Sequence, residues 1–161
     1  MKLIPVLLNS TETNYRSRFN EKLLKSKVSE LNEQGTLSLK GRLTSEHSFS
    51  VYDTWNVVGW NMPGFKRKAA YLMGRITQEV DGPRVNLKVK PNAILPVFGV
   101  VSSLAGLILT LVSFTKGRES MFLFSIGLCF LALGIIYYLL GRFLRSRLLR
   151  KLVQYLDLKL V

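Results

Sequence analysis

Two apolar runs, residues 94–114 and 121–140, constrain this chain more than anything else in it. Neither contains a charged side chain, and only the six residues 115–120 separate them. As helices, runs of 21 and 20 residues each reach roughly 30 Å, the thickness of a bilayer's hydrocarbon core. Backbone in lipid must satisfy its own hydrogen bonds, which leaves helix as the conformation for both. A short polar connection then forces the two helices antiparallel. The expectation is a transmembrane hairpin.

The charges set its direction. The first 90 residues hold 15 Lys and Arg against 8 Asp and Glu, and the 21 residues after Leu140 hold six against one. The connection carries Lys116, Arg118 and Glu119, a net charge of +1. Lys88 and Lys90 precede the first run, and Arg142, Arg145 and Arg147 follow the second. Basic flanks stay on the cytoplasmic side, so both termini are expected inside. The formal net charge of +13 follows in part from this topology. It also suits the anionic lipid of the cytoplasmic leaflet, and nucleic acid is not expected as a partner.

Small residues recur every seven positions: Gly99, Gly106 and Ser113 in the first run, Gly127, Gly134 and Gly141 in the second. Seven residues is close to two helical turns, so each set lines one stripe along which helices approach closely. The seam joins the two helices to each other, or joins the hairpin to a membrane-protein partner or a second copy.

Residues 1–90 suffice for one small domain. Residues 2–8 are apolar and read as a strand; as the core of a signal peptide they are too short, with no small-residue cleavage pattern after them. Ser10 or Thr11 reads as a cap, followed by helix to Glu33. Tyr15, Phe19 and Leu23 form one stripe there, and Leu24, Val28 and Leu31 a second on another face. One straight helix cannot bury both, which predicts a break near residues 22–27 or two short helices. Beyond Gly35 the period changes to two: Leu37, Leu39 and Leu43, then Phe49 and Val51, then residues 70–80, then Val85, Leu87 and Val89 after an Asp81-Gly82-Pro83 turn. Residues 55–65 are irregular. Residues 142–157 read as a basic amphipathic helix, with Leu148, Leu149, Leu152, Val153 and Leu156 opposite Arg147, Arg150, Lys151 and Gln154. That helix lies on the lipid surface or packs on the sheet, with the sheet favoured. The fold class is α+β: a domain over 1–90 built of strand, helical segment and antiparallel meander, a hairpin over 91–141, and a terminal helix over 142–161.

Leu39-Lys40-Gly41-Arg42, Phe49-Ser50-Val51, Pro63, Met73-Gly74-Arg75-Ile76, Asp81-Gly82 and Val85-Asn86-Leu87-Lys88-Val89 together resemble a family of uncharacterised small bacterial membrane proteins. In these a short β-rich domain leads into two transmembrane helices. The resemblance covers roughly residues 37–141 and implies a multi-pass protein of the bacterial inner membrane, with no catalytic motif attached. At the level of fold alone, strand, helix, meander and terminal helix are similar to helix-grip ligand-binding domains.

Catalytic chemistry is not expected. The chain has no Gly-rich phosphate loop and no dinucleotide fingerprint. Its single histidine, His47, lies in a polar Thr44-Ser45-Glu46-His47-Ser48 turn, and its single cysteine, Cys129, lies within the second apolar run. One His and one Cys do not make a metal site, and no cofactor is expected. Two basic clusters suit anionic headgroups: Lys66, Arg67 and Lys68 beside Trp55, Trp60 and Phe65, and Arg142, Arg145, Arg147, Arg150 and Lys151 after the hairpin. The expected function is that of a non-enzymatic membrane protein, an accessory subunit or scaffold with a cytoplasmic interaction domain. The alternative is a membrane-anchored binder of a lipid or small apolar ligand in a helix-grip-like cavity.

Overall fold

A computed structural model describes residues 10–34, 38–53, 70–79, 82–115 and 121–161. The fold is α+β: a six-stranded antiparallel sheet and three helices, two of them long and apolar. In chain order the elements are β1 (Thr11–Ser17), α1 (Glu21–Gln34), β2 (Leu39–Ser45), β3 (Ser48–Asp53), β4 (Ala70–Glu79), β5 (Gly82–Pro91), α2 (Ile94–Thr115), α3 (Met121–Tyr155) and β6 (Leu158–Leu160). The strands lie in the order β2-β3-β4-β5-β1-β6.

The meander follows its alternation. Phe49, Val51, Leu72, Ile76, Val85, Leu87 and Val89 all point to one face and are almost wholly buried. Registers such as Val51 opposite Leu72 and Leu72 opposite Val89 keep them on that face across the strands. The other face is basic. It carries Lys40 and Arg42 on β2, Arg75 on β4, Arg84, Lys88 and Lys90 on β5, Arg16 on β1 and Lys159 on β6, all exposed. Gly82 makes the tight turn into β5 at a φ of 114°, which L side chains rarely adopt.

Residues 11–17 are strand, where helix was expected. β1 is pinned between β5 and β6, with Thr13 opposite Leu87 and Tyr15 opposite both Val85 and Leu160. Its inward residues are Thr11, Thr13, Tyr15 and Ser17, and this mostly hydroxylic set hides the period of two. The cap is neither Ser10 nor Thr11 but Asn20: the Leu23 amide donates to its Oδ1 at 2.9 Å, and the Leu24 amide to its carbonyl at 3.0 Å. From there α1 runs unbroken, so the expected break at residues 22–27 is absent. It buries Leu24, Val28 and Leu31, while Leu23 is exposed. The two conflicting stripes belong to two elements, since Tyr15 and Phe19 precede the helix.

α3 is one helix of 35 residues, about 50 Å long, where a membrane helix and a separate tail helix were expected. Its last turns, with the residue that follows them, place Leu144, Leu148, Leu152 and Leu156 in the same core as the sheet and α1, each 5% exposed or less. The tail therefore covers the sheet. Asp157, in the left-handed region at φ 44°, turns the chain into β6, an element the sequence pattern did not suggest. The strand expected at 2–8, the irregular stretch 55–65 with its two tryptophans, and the 116–120 connection lie outside the described residues.

α1 crosses β2 at Gly41, where a Cβ would stand 2.6 Å from the Val28 carbonyl oxygen and 3.2 Å from the Leu31 Cβ. Backbone cannot rotate aside, so the helix would have to lift from the sheet. Gly41→Ala is expected to cost about 1–3 kcal/mol, read as a lowered midpoint of thermal or denaturant unfolding in detergent. An unchanged midpoint would show that α1 moves freely over β2.

Candidate functional site

α2 and α3 pack antiparallel along a seam of small residues. Gly99, Gly106 and Ser113 are buried on α2, and Gly127, Gly134 and Gly141 on α3. Backbone meets backbone at two levels. A Cβ on Gly106 would lie 2.6 Å from the Leu131 nitrogen and 2.7 Å from the Gly127 oxygen; one on Gly134 would lie 2.7 Å from the Gly99 oxygen. Thr110 and Ser113 satisfy their hydroxyls within α2, on the carbonyls of Gly106 (2.8 Å) and Thr110 (2.6 Å), so neither leaves a polar group open in the seam. Gly141 differs from the others. Its nearest neighbours, the Cβ atoms of Leu95 and Pro91, would be 3.6 and 3.7 Å from an added Cβ, an ordinary contact. A shared heptad spacing thus covers different kinds of site: Gly106, Gly127 and Gly134, where only hydrogen fits, Gly99, where an added Cβ would stand a tight 3.1 Å from the Gly134 oxygen, and Gly141, with room for a methyl group.

The outward surfaces of both helices are apolar. Val101, Leu104, Ile108, Leu111, Phe122, Ile135 and Ile136 are among the many large hydrophobic residues exposed there. Cys129 is exposed on the same belt.

The basic residues after the belt divide. Arg142 and Arg150 are exposed and Arg145 is half-buried. Arg147 and Lys151 turn inward to Asp53, at 3.8 and 3.4 Å. Asp53 is 4% exposed at the end of β3, so its charge is balanced by two cations from α3 rather than by water. No sequence spacing signals this contact, because its partners stand 94 and 98 positions apart. Lys66, Arg67 and Lys68 lie outside the described residues.

Polar contacts also fasten α1 to its neighbours. The Tyr155 hydroxyl on α3 donates to the Lys27 carbonyl at 3.2 Å, and the Lys27 ammonium stands over the rings of Phe19 and Tyr155, 4.4 and 5.3 Å from their centroids. Burial, then the neighbouring Glu30 carboxylate, pushes the Tyr155 phenol above its ordinary range. At the start of α1, Glu21 meets the Lys25 ammonium at 2.7 Å and the His47 Nδ1 at 3.0 Å. The Lys25 hydrogen bond holds the Glu21 carboxyl below its usual value. The β2–β3 turn is exposed, as expected, and His47 ties it to the start of α1. Among the described residues no group of three His, Cys, Asp or Glu side chains is arranged to hold a metal ion.

Two outcomes follow. Gly106→Leu should force the helices apart and lower the unfolding midpoint in detergent by the equivalent of about 1–3 kcal/mol, whereas Gly141→Ala should stay within about 0.5 kcal/mol; equal effects would mean that the two positions are not distinct. The second concerns acid. A carboxyl depressed in the folded state stabilises it above the ordinary glutamate pKa of the unfolded chain, and that contribution disappears as pH falls through the lower folded value. Stability measured from pH 6 to 3 should therefore decline less steeply in Glu21→Gln than in the parent chain, and parallel curves would refute the contact. Comparison with known protein families, curated proteins and solved structures finds no match to this chain.

Proposed function

We propose that this chain is a two-span membrane protein serving as a non-enzymatic accessory subunit or scaffold. The α2–α3 pair crosses the membrane as a hairpin, and the sheet domain is held in the cytoplasm. The observation that carries this reading is the continuity of α3. One helix emerges from an apolar belt and packs its C-terminal turns on the inner face of the sheet, with no linker between them. Such a joint fixes the height and rotation of the domain relative to the belt, as a module that presents a surface to another membrane component requires.

Support for the belt as a lipid-facing element comes from burial. A core helix of a soluble protein is mostly covered, whereas only 17% and 11% of the most apolar windows of α2 and α3 are buried. In water such a surface would be a large uncovered patch; in lipid it is the ordinary condition. Arg142 and Arg145 stand where the belt ends and suit anionic headgroups of the cytoplasmic leaflet, while Arg147 and Lys151 are directed to Asp53. The bacterial inner membrane remains the implied location, and a membrane-protein partner or a second copy the implied company of the hairpin. Among the described residues, large side chains such as Phe49, Leu72, Leu148 and Leu152 occupy the space between sheet and helices, which favours the scaffold over a ligand cavity.

Topology is directly testable in a Cys129→Ala background. With Ser48→Cys the thiol should react with a membrane-impermeant maleimide only after the membrane is opened, and with Gly117→Cys it should react from outside in intact cells. Labelling of both from the same side, or release of the protein by alkaline carbonate, would overturn the hairpin. Purification in mild detergent should bring a stoichiometric membrane partner or a defined homo-oligomer; a monomer that retains only lipid would count against the scaffold.

A further inference from the structure

The outer face of the sheet is an unusual surface for a domain of this size. Among the described residues, eight Lys and Arg share it with two carboxylates, Glu12 and Glu79, which are engaged by Lys88 at 3.4 Å and Arg84 at 3.0 Å. Near its centre stands Met73, 56% exposed. Met73 pairs with Ser50 on β3 and Lys88 on β5, has Tyr71 and Arg75 beside it on the same face of β4, and lies two strands from Arg42, in line with it across Ser50. An apolar, adaptable side chain ringed by Arg, Lys and Tyr is the anatomy of a protein-binding surface, with an apolar centre and a polar rim.

We infer that this face docks an acidic protein surface that offers an apolar side chain to Met73 and carboxylates to Arg42 and Arg75. The inference deepens the scaffold reading and rests on it. Three other occupants fit less well. A second copy would bring the same positive charge against this one. A bilayer is turned away from it: α3 continues the belt axis and lies along the inner face, so the plane of the sheet stands upright on the membrane and its outer face looks sideways. Nucleic acid is favoured by an unbroken cationic stripe with aromatic rings free for stacking. Here Tyr52 and Tyr71 are half-buried, and the two carboxylates interrupt the field. Arginine's planar fork matches carboxylates in bidentate geometry, and the charged rim sets orientation and encounter rate while the apolar centre supplies residence time.

The test uses the full chain in nanodiscs of phosphatidylcholine, which removes anionic lipid as a competitor. Three dye-labelled probes of equal charge are titrated: a Leu-Glu-Glu repeat peptide, poly-glutamate and oligo-dT. The Leu-Glu-Glu peptide should bind most tightly. Its affinity should fall about tenfold when Arg42→Glu and Arg75→Glu are combined, and severalfold in Met73→Ser, a change to which poly-glutamate should be indifferent. Arg42→Gln with Arg75→Gln repeats the charge test should the double Glu variant fold poorly. Equal binding by parent and variants, or no binding of the peptide, overturns the docking face. Tighter binding of oligo-dT, unaffected by Met73→Ser, replaces it with a nucleic-acid surface. Incorporation into the discs is scored on the same samples: failure there counts against the membrane reading, whereas an incorporated chain that does not bind counts against the docking face alone.

Discussion

Everything in the domain depends on the contact between the C-terminal turns of α3 and the inner face of the sheet. Leu144, Leu148 and Leu152 of α3, and Leu156 just after it, recur at one-turn intervals and share one buried core with Leu24 and Val28 of α1 and the strand residues Leu72, Leu87 and Val89. Burial of a leucine side chain contributes roughly 1.5–3 kcal/mol. Four in one row outweigh any polar contact described above. Without α3 the sheet would present an apolar face to water, which α1 covers only beside β2. The Asp53 cluster and the Tyr155 bridge to Lys27 act around this contact. They fix the angle at which the helix lies, because misplacing it would strand a buried carboxylate and leave a phenol away from its acceptor.

The seam between α2 and α3 follows a different physics. In the lipid environment proposed above for these helices, no hydrophobic gain would reward their association, so close backbone approach and dispersion would have to supply it. Gly106, Gly127 and Gly134 bring the backbones to distances that any larger residue would forbid, and Gly99 packs nearly as close. One helix thus takes part in two kinds of packing. Up to Gly141 it is matched to its neighbour by the absence of side chains, and beyond Gly141 it is matched to the sheet by large ones.

Much of this was legible in the residues. The two apolar runs and the four-strand meander announce themselves by length and by period, because each has an apolar face whose spacing is regular. The heptad of small residues was visible too, though not the difference at Gly141, which depends on what lies across from it. Three features were hidden. β1 turns Thr11, Thr13 and Ser17 inward, so its alternation is polar against polar and resembles a capped helix. β6 has three residues, too few to show a period, and exists because β1 offers an edge. The continuity of α3 was masked by the charges from Arg142 onward, which look like the end of a span and are also the polar side of a helix that continues. The Asp53 contact joins residues far apart in sequence, which no local pattern can reveal.

The position of α3 in the chain also governs the order of assembly. Synthesis delivers β1, α1 and the meander first, with the apolar side of the sheet lacking its main cover. The cover arrives only after α2 and the first half of α3 have been made, and β6 after that. The interval is long in sequence: the inward residues of β5 wait for the C-terminal turns of α3, and Tyr15 for Leu160. Contacts of such separation close slowly. The nascent domain therefore carries an open apolar sheet through the time in which the hairpin is placed, and that sheet is the surface a chaperone would have to shield.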